Sequence, residues 1–518
     1  MAAAPLDLLL PDSGDRAAAL ALLRERLELE EGRERLADRV LLDSFDRRLR
    51  SEGLRAERPA GRTGGGALSL HEPGAAVRRA EVERAPRYLV EELPDGPVRD
   101  RLAGVLEERA LLPAVRVRSA VQPLAVVNGD AKTVVRLVIE HPEAVLDSRR
   151  RVPLAPRVSV EPVLGYDAEH QRTLRVLRDR LGFEAAERSL FDEAVMAVGG
   201  RPEGVSSKPG VTLAPGTRAD AAAATVLVRL HEIAVSNVQG TLDDLDTEFL
   251  HDLRVSIRRA RSVLRELKHV HDPGERTHLR DELKWAQALT GPVRDLDVQL
   301  LEWDQLVAPL PPERAAELEP LHTLLARRRA RELARLRRGL RGARFTNALA
   351  AWHALATAAP VETDERPNAA LPIEAVAGER IRKVYRRIVR DGREITDASP
   401  PEALHDLRKR GKELRYLLEL FGSPFPRKVV KPMVSTLKDL QEVLGRFQDR
   451  AVQTELLREV REELAAEPGG PAALLALGPA LDALLADQAA ARAQFADRFA
   501  AFAGSEQRAV VRDTFPKP

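Results

Sequence analysis

Two segments of the chain share an opening motif and then carry cations at helical spacing. Residues 250–267 read LHDLRVSIRRARSVLREL, and residues 404–421 read LHDLRKRGKELRYLLELF. At about 100° per residue, a helix over the first segment gathers its cations within an arc of roughly 80°, beside an apolar arc of roughly 100°. The residues of this basic stripe are His251, Arg254, Arg258, Arg261 and Arg265. The spacing therefore predicts an amphipathic helix whose basic side adjoins its core side.

The second segment repeats the stripe at a constant offset of 154 residues. Its members are His405, Arg408, Lys412 and Arg415, with Lys409 as an additional cation and Glu419 at the place of Arg265. The same offset aligns LKWAQALTGPVRDLDV with LKDLQEVLGRFQDRAV, so that Lys284 corresponds to Lys438. Agreement over about 45 residues indicates a duplicated helical unit and predicts two similar lobes.

The basic stripe needs a counter-charge. Like charges three and four residues apart on a helix repel each other, and residues 250–268 carry six Arg or Lys against two acids. Each stripe would run about 21 Å, which is too long for one phosphate and suits a chain of phosphates. Arg and Lys bind phosphate oxygens through charge-assisted hydrogen bonds. The alternative is that acids on a neighbouring helix neutralise the stripe; retention of the stripe in both copies favours an external anion.

The histidines do not predict a metal site. Each repeat supplies one histidine at the start of its stripe, whereas a metal needs several converging ligands. The chain has no cysteine, which excludes thiolate ligands and cysteine nucleophiles. We expect His251 and His405 to hydrogen-bond a phosphate or a neighbouring helix, and we expect neither a metal nor a cofactor.

The composition is that of a soluble protein. The 518 residues are 44% hydrophobic and 31% charged, and the net charge is only +2, so any basic surface has to be local. No run of 18 apolar residues predicts a membrane-spanning helix, and the N-terminus lacks the pattern of a signal peptide. These features predict a cytoplasmic location without membrane attachment.

The chain changes character near residue 200. Before it, alternating segments at 114–119, 132–140 and 157–163 predict strands, and helices are expected near 14–27 and 167–181. In the segment 132–140 one face is apolar and the other carries charges. We therefore assign residues 1–198 to an α+β domain. Residues 199–219, rich in Gly, Pro and Ser, are a predicted linker.

Almost every segment after the linker has helical periodicity. We assign residues 220–505 to an all-α domain with lobes at 220–357 and 373–505, separated by a proline-bearing loop at 358–372. Separate helices are expected at 427–444 and 447–466.

The paired LHDLR segments, together with the LK…G…D segments that follow them, resemble the CHAD family (conserved histidine α-helical domain) over about residues 221–505. The resemblance implies two pseudo-symmetric four-helix-bundle-like lobes, a basic central channel, and binding of inorganic polyphosphate in association with polyphosphate granules. Arg229 and Lys383 correspond to each other on the first helix of each lobe. The polyphosphate-binding residues it implies are Arg229, His251, Arg254, Arg258, Arg261, Arg265, Lys284, Lys383, His405, Arg408, Lys409, Lys412, Arg415 and Lys438.

The N-terminal region resembles a CYTH domain, a β-barrel of the triphosphate tunnel enzymes, at residues 40–61, 134–140 and 162–170. Active members carry a Glu-x-Glu-x-Lys triplet on the first strand, whose acids hold a divalent metal. The expected first strand, PLDLLLP, lacks it. Glu28 and Glu30 come nearest, but Gly32 stands in the place of the lysine and the segment reads as a helix end. We therefore predict a degenerate domain without catalytic residues.

Three hypotheses follow for function. The first is a non-enzymatic polyphosphate-binding protein. The second is a metal-dependent triphosphatase or polyphosphatase of the CYTH class. The third is nucleic-acid binding, which is disfavoured because aromatic residues make up only 4% of the chain and none interrupts the first stripe to stack on bases.

Overall fold

The computed structural model describes residues 6–11, 15–61, 66–72, 75–360 and 363–516. The chain forms two compact units, Met1–Ser206 and Ser207–Pro518, and the division falls within the predicted linker. Each unit has its own hydrophobic clusters. The α+β character of the first unit and the all-helical character of the second are as predicted.

The first unit is an antiparallel sheet with short helices. Its strands are β1 (Leu6–Leu9), β2 (Leu29–Glu31), β3 (Arg35–Asp43), β4 (Arg55–Pro59), β5 (Gly66–His71), β6 (Arg78–Val82), β7 (Leu112–Val127), β8 (Thr133–Val145), β9 (Arg151–Pro153), β10 (Arg157–Pro162) and β11 (Glu184–Ala185). Its helices are α1 (Arg16–Arg24), α2 (Arg48–Ser51), α3 (Pro97–Leu106), α4 (Asp167–Arg175) and α5 (Leu190–Ala197). The strand order is β11-β1-β10-β8-β7-β3-β4-β5-β6, with β2 and β9 added beside β7 and β8.

The predicted two-faced strand is the centre of this sheet. In β8, Val135, Leu137 and Ile139 are fully buried, while Arg136 on the opposite face is exposed. Successive side chains of a strand point to opposite sides, so this alternation places one apolar face against the core. Leu8 of β1 belongs to the same core cluster, which confirms the expected first strand.

The segment that contains Glu28 and Glu30 differs from the prediction. It was expected to end a helix, but Leu29–Glu31 is strand β2 and pairs with β7. The backbone N–H of Gly32 donates to the Pro123 carbonyl at 2.9 Å. A Cβ atom at position 32 would lie 2.7 Å from Pro123 Cγ. Glycine is therefore required here by close packing, and a lysine at this position would displace β7.

The second unit is a helical bundle. Its helices are α6 (Ala219–Asp243), α7 (Thr247–Glu266), α8 (Pro273–Leu289), α9 (Gly291–Leu301), α10 (Trp303–Val307), α11 (Pro312–Ala316), α12 (Glu319–Arg341), α13 (Ala343–Thr357), α14 (Ile373–Arg393), α15 (Pro401–Phe421), α16 (Arg427–Glu459), α17 (Arg461–Ala465), α18 (Gly470–Phe502) and α19 (Ser505–Thr514). The two helices expected at 427–444 and 447–466 are largely one, α16. Gly445 has no positive φ, so the helix passes through it unbroken.

The apolar sides of both stripe helices form the centre of the bundle. Leu253, Ile257 and Leu264 of α7 and Leu414 and Phe421 of α15 are buried completely or nearly so. They belong to one cluster shared by both lobes. Burying a side chain of this kind contributes about 1.5–3 kcal/mol. The predicted core faces are confirmed, and they fix the direction in which each basic stripe points.

Two helices, Ala219–Asp243 and Gly470–Phe502, are long and apolar enough to cross a membrane by length and composition alone. The first packs on α7 and α13, and the second packs on α16. Core helices of bundles have the same composition, so this is weak evidence of a membrane span.

Candidate polyanion-binding site

The helices that carry the two basic stripes lie against each other. Ion pairs join them: Arg259 Nη2 of α7 is 3.1 Å from a carboxylate oxygen of Glu419, and Arg265 Nη2 is 2.9 Å from Glu413. The start of α7 is set by Asp246, whose carboxylate accepts the backbone N–H groups of Glu248 and Phe249. The duplicated stripes therefore form one surface at the junction of the lobes.

Three cations in the middle of this surface have no ion pair within the described residues. Arg258, Arg261 and Lys412 are half-buried, and within the described residues their side chains make no hydrogen bond or ion pair. The Nε of Arg258 is buried without a hydrogen-bond partner. Removing a cation from water without a counter-charge is costly, and like charges nearby raise that cost. We refer to these three residues as the central cations.

Lys412 shows the cost most clearly. Burial lowers its pKa to about 7, and the neighbouring charges of Arg408, Arg258 and Arg415 act in the same direction against the weaker effect of Asp449. Burial also lowers the pKa of Arg261, with Arg265, Arg280 and Arg258 adding to the effect and Asp281 opposing it. The central cations thus share a positive potential that a bound anion would relieve.

The ends of the first stripe have partners within the protein. Arg254 Nη1 donates to the Gln287 carbonyl at 3.2 Å and to Thr290 Oγ1 at 2.8 Å, at the C-terminal end of α8, where helix carbonyls favour a cation. Burial lowers the pKa of Arg254 to about 10. Arg265 pairs with Glu266 at 2.6 Å as well as with Glu413. Acids of the bundle therefore neutralise Arg265, which is the alternative that the sequence analysis left open.

The second stripe is also partly neutralised. His405 Nδ1 lies 2.7 Å from Gln448 Oε1, and Arg408 Nη2 lies 3.0 Å from Asp449 on α16. Arg415 Nε lies 2.6 Å from Glu419, so this acid neutralises the end of the stripe. Lys409 is exposed and pairs with Asp406 at 3.2 Å. Lys412 is therefore the member of this stripe that has no ion pair or side-chain hydrogen bond among the described residues.

The remaining predicted residues lie on other helices. Lys284 of α8 and Lys438 of α16 are exposed, and neither has an ion pair within the described part of the chain. Arg229 of α6 pairs with Glu232 at 3.0 Å and donates to the Pro209 carbonyl. Lys383 lines a separate cleft beside α14.

Sequence reasoning missed Arg280. It is half-buried on α8, close enough to Arg261 to lower the pKa of that residue. Position 434, its equivalent in the second copy, is a valine, so the repeat did not reveal it. Its spacing of four residues from Lys284 was the signal that could have found it.

A cluster at the start of α7 also escaped the sequence analysis. Glu248, His251 and Asp252 bring ligand atoms to within 4.8 Å of one another. Their spacing of three and four residues on one helix was the available signal. Arg294 Nη1 lies 3.6 Å from a Glu248 carboxylate oxygen and already supplies positive charge there. The absence of a metal therefore stays a prediction.

The acids on the sheet of the first unit are paired with arginines. Glu57 lies 3.3 Å from Arg39 and 3.2 Å from His71, and Glu140 accepts a hydrogen bond from Ser119 at 2.6 Å and pairs with Arg39. Burial alone would raise the pKa of Glu57, but His71, Arg55 and Arg39 outweigh it and bring the pKa to about 2. These carboxylates are already neutralised by neighbouring side chains, which disfavours a divalent metal between them.

Comparison with known proteins identifies a domain family within the helical unit. Residues 227–458 match the family model of the CHAD domain. The chain therefore carries a CHAD domain, and its strand-rich N-terminal unit is consistent with a CYTH-like domain.

The matches to individual proteins cover only part of this chain, and they span less than half of the two curated relatives. The uncharacterized proteins MT2285 and Rv2226, from two strains of Mycobacterium tuberculosis, are each 30% identical over 223 residues, which is 43% of this chain and 42% of theirs. A CHAD domain structure from the plant Ricinus communis has a TM-score of 0.48 at 23% identity and covers 57% of this chain and 94% of its own. PptA from Streptomyces chartreusis has a TM-score of 0.43 at 18% identity and covers 54% of this chain and 99% of its own.

Proposed function

We propose that the CHAD domain of this protein binds inorganic polyphosphate across the junction of α7 and α15. The observation that carries the proposal is the set of central cations, which lie half-buried at this junction with no ion pair or side-chain hydrogen bond among the described residues. Residues that serve only the fold would be expected to have partners, as Arg259 and Arg329 do. A phosphate chain would supply a negative charge at each successive position along the stripe.

The proposed binding mode combines desolvated and exposed contacts. Arg258, Arg261 and Lys412 would hold phosphates at the centre, where partial burial strengthens each charge-assisted bond. Lys284 and Lys438, which are exposed on α8 and α16, would extend the contact by long-range attraction. In this proposal the polymer is held in the cytoplasm, and association with polyphosphate granules would follow from polymer binding.

A charge-reversal experiment tests the site. The variant Arg258→Glu with Lys412→Glu should weaken binding of long-chain polyphosphate about 100-fold or more, because a hydrogen bond to a charged group contributes about 1.5–3 kcal/mol. The matched control is Arg338→Glu with Arg341→Glu, which reverses two exposed charges on α12. Affinity is measured by fluorescence anisotropy with labelled polyphosphate, and the circular dichroism of both variants should equal that of the parent.

Retained affinity in the first variant would show that the wrong face has been chosen. Competition provides the second arm of the experiment. Single-stranded DNA at a matched phosphate concentration should displace little polyphosphate, because the first stripe offers no aromatic platform for bases. Equal displacement would favour nucleic-acid binding instead.

We also propose that the N-terminal unit is not a triphosphatase. The close approach of Gly32 to Pro123 and the pairing of Glu57 and Glu140 with Arg39 support this. The full-length protein should release no phosphate from tripolyphosphate above the rate without enzyme, with Mg²⁺ or with Mn²⁺. Metal-dependent phosphate release by the parent that is lost in a Glu57→Gln variant, which leaves the surrounding arginines intact, would place a catalytic metal on this sheet and contradict the proposal.

A further inference from the structure

A second basic surface lies on the second lobe, between α14 and α19. A cleft of about 760 Å³ opens there, which is in the size range of small-ligand sites. Eight of its twelve lining residues are Arg or Lys, and Glu394 is the one acid among those twelve. The apolar side chains of Val389 and Val511 form part of the lining. The CHAD match ends at residue 458, so α19 belongs to no assigned site.

The cations of α14 share one face of the helix. Lys383, Arg386, Arg387, Arg390 and Arg393 follow each other at intervals of three, one, three and three residues. Like charges at such spacing destabilise a helix. Arg386 and Arg393 are exposed, and their side chains have no ion pair or hydrogen bond within the described ranges. This face therefore carries a concentration of positive charge that the fold neutralises only in part.

The opposite wall is held in place by structural contacts. Arg382 Nη1 donates to the carbonyl oxygens of Arg512 and Phe515, both at 3.0 Å, and Phe515 is buried. These contacts fix the C-terminal end of α19 against α14. Arg508 on α19 and Arg393 on α14 both lie close enough to Tyr385 to oppose the increase in its pKa that burial causes. Cations from two helices thus converge on one cleft.

The duplication shows that the bundle does not require this charge. At the offset of 154 residues, Arg386 corresponds to Glu232, Arg390 to Ser236 and Arg393 to Gln239. The first lobe therefore builds the equivalent helix without the cations. The cleft also differs from the α7–α15 surface, because α14 and α19 supply its lining and none of Arg258, Arg261 and Lys412 belongs to it.

We propose that this cleft binds a short run of linked phosphate groups, either a free oligophosphate or the phosphate chain of a nucleotide. Guanidinium groups on two facing helices can each give two parallel hydrogen bonds to phosphate oxygens. The ion pairs of Arg390 with Asp391 and of Arg512 with Asp513 are largely exposed on the arginine side, so exchanging them for a ligand costs little. A cleft of this volume suits a compact anion, in contrast to the long polymer proposed for α7 and α15.

The test uses the full-length chain and isothermal titration calorimetry with tripolyphosphate and, separately, with adenosine triphosphate. The variant Arg386→Gln with Arg508→Gln removes one exposed cation from each wall and should weaken tripolyphosphate binding at least tenfold, while long-chain polyphosphate affinity changes less than twofold. The control Arg338→Gln with Arg341→Gln removes the same charge from α12. Tighter binding of tripolyphosphate than of the nucleotide would identify free oligophosphate, and the reverse order would identify a nucleotide.

The α7–α15 variant, Arg258→Glu with Lys412→Glu, separates the two sites. It should lose long-chain polyphosphate and keep tripolyphosphate. If it loses both ligands equally, there is one site and the cleft proposal is wrong. The cleft proposal also fails if the Arg386 and Arg508 variant binds tripolyphosphate like the parent, or if the α12 control is equally weakened. As a second measurement, tripolyphosphate should slow hydrogen exchange in residues 505–514 of the parent and not of the cleft variant.

Discussion

At the scale of single residues, the proposed site depends on how few of its cations are free. Helical periodicity predicted which side chains share a face, and the structure confirms the core faces that set this direction. Helical periodicity could not predict which cations are neutralised, because their acidic partners lie far away in the sequence. Glu419 reaches Arg259 across 160 residues, and Asp449 reaches Arg408 across 41. Tertiary packing places these acids beside the arginines, and the local spacing of residues in the sequence does not predict such contacts.

The lowered pKa of Lys412 predicts that polyphosphate binding depends on pH. Its pKa of about 7 means that the free protein loses this charge between pH 6 and pH 8.5, under the influence of Arg408, Arg258 and Arg415 and against Asp449. Binding at pH 8.5 must first add a proton to Lys412, a cost that is nearly absent at pH 6. Polyphosphate affinity, measured by calorimetry, should therefore increase up to about 30-fold as the pH falls from 8.5 to 6.

The control for the pH prediction is Lys412→Arg, which keeps its charge over this range. It should bind almost equally at both pH values. An unchanged pH dependence in this variant would show that Lys412 does not contact the polymer.

At the scale of helices and strands, the sequence repeat predicted two lobes, but it did not predict where individual elements begin and end. The break expected near residue 445 is absent because Gly445 keeps helical geometry within α16. The strand at Leu29–Glu31 was mistaken for a helix end, since its three residues are too short to show alternation and its pairing with β7 is non-local. Short elements that depend on a distant partner are the ones that periodicity fails to find.

Glu419 links α7 to α15 through its ion pair with Arg259, and it also forms an ion pair with Arg415. Its substitution should therefore affect both stability and polyphosphate binding. Glu419→Gln should lower the free energy of unfolding by about 2–3 kcal/mol, since the buried Arg259 loses its counter-charge. The same change frees Arg415 and removes a negative charge from the stripe, so polyphosphate affinity should increase roughly fivefold. Urea unfolding and anisotropy measure the two effects.

The matched control for this prediction is Glu402→Gln, which removes an exposed acid at the start of α15. It should leave both stability and affinity nearly unchanged. If Glu419→Gln weakens polyphosphate binding while Glu402→Gln does not, Glu419 would be orienting Arg415 toward the ligand rather than competing with it.

At the scale of the whole molecule, the net charge of +2 hides two basic surfaces, because cations elsewhere, such as Arg328, Arg329 and Arg450, are paired with acids. Composition alone could therefore not predict polyanion binding, and the duplicated stripe was needed. Each unit has its own hydrophobic clusters, so each is expected to unfold as a separate cooperative transition.

This separation allows a test of where the polymer binds. Long-chain polyphosphate at a concentration of about 100 times its Kd should stabilise the helical unit by about 2.7 kcal/mol, and it should leave the sheet unit unchanged. Calorimetry of the full-length protein, with circular dichroism to assign the helical transition, measures both. Because each phosphate contact releases counterions, the stabilisation should fall steeply as salt is raised at constant polymer concentration. A shift that does not depend on salt would mean that apolar contacts hold the polymer. A shift of the sheet transition would mean that the N-terminal unit holds it. Either outcome would contradict binding by the cations at the junction of α7 and α15.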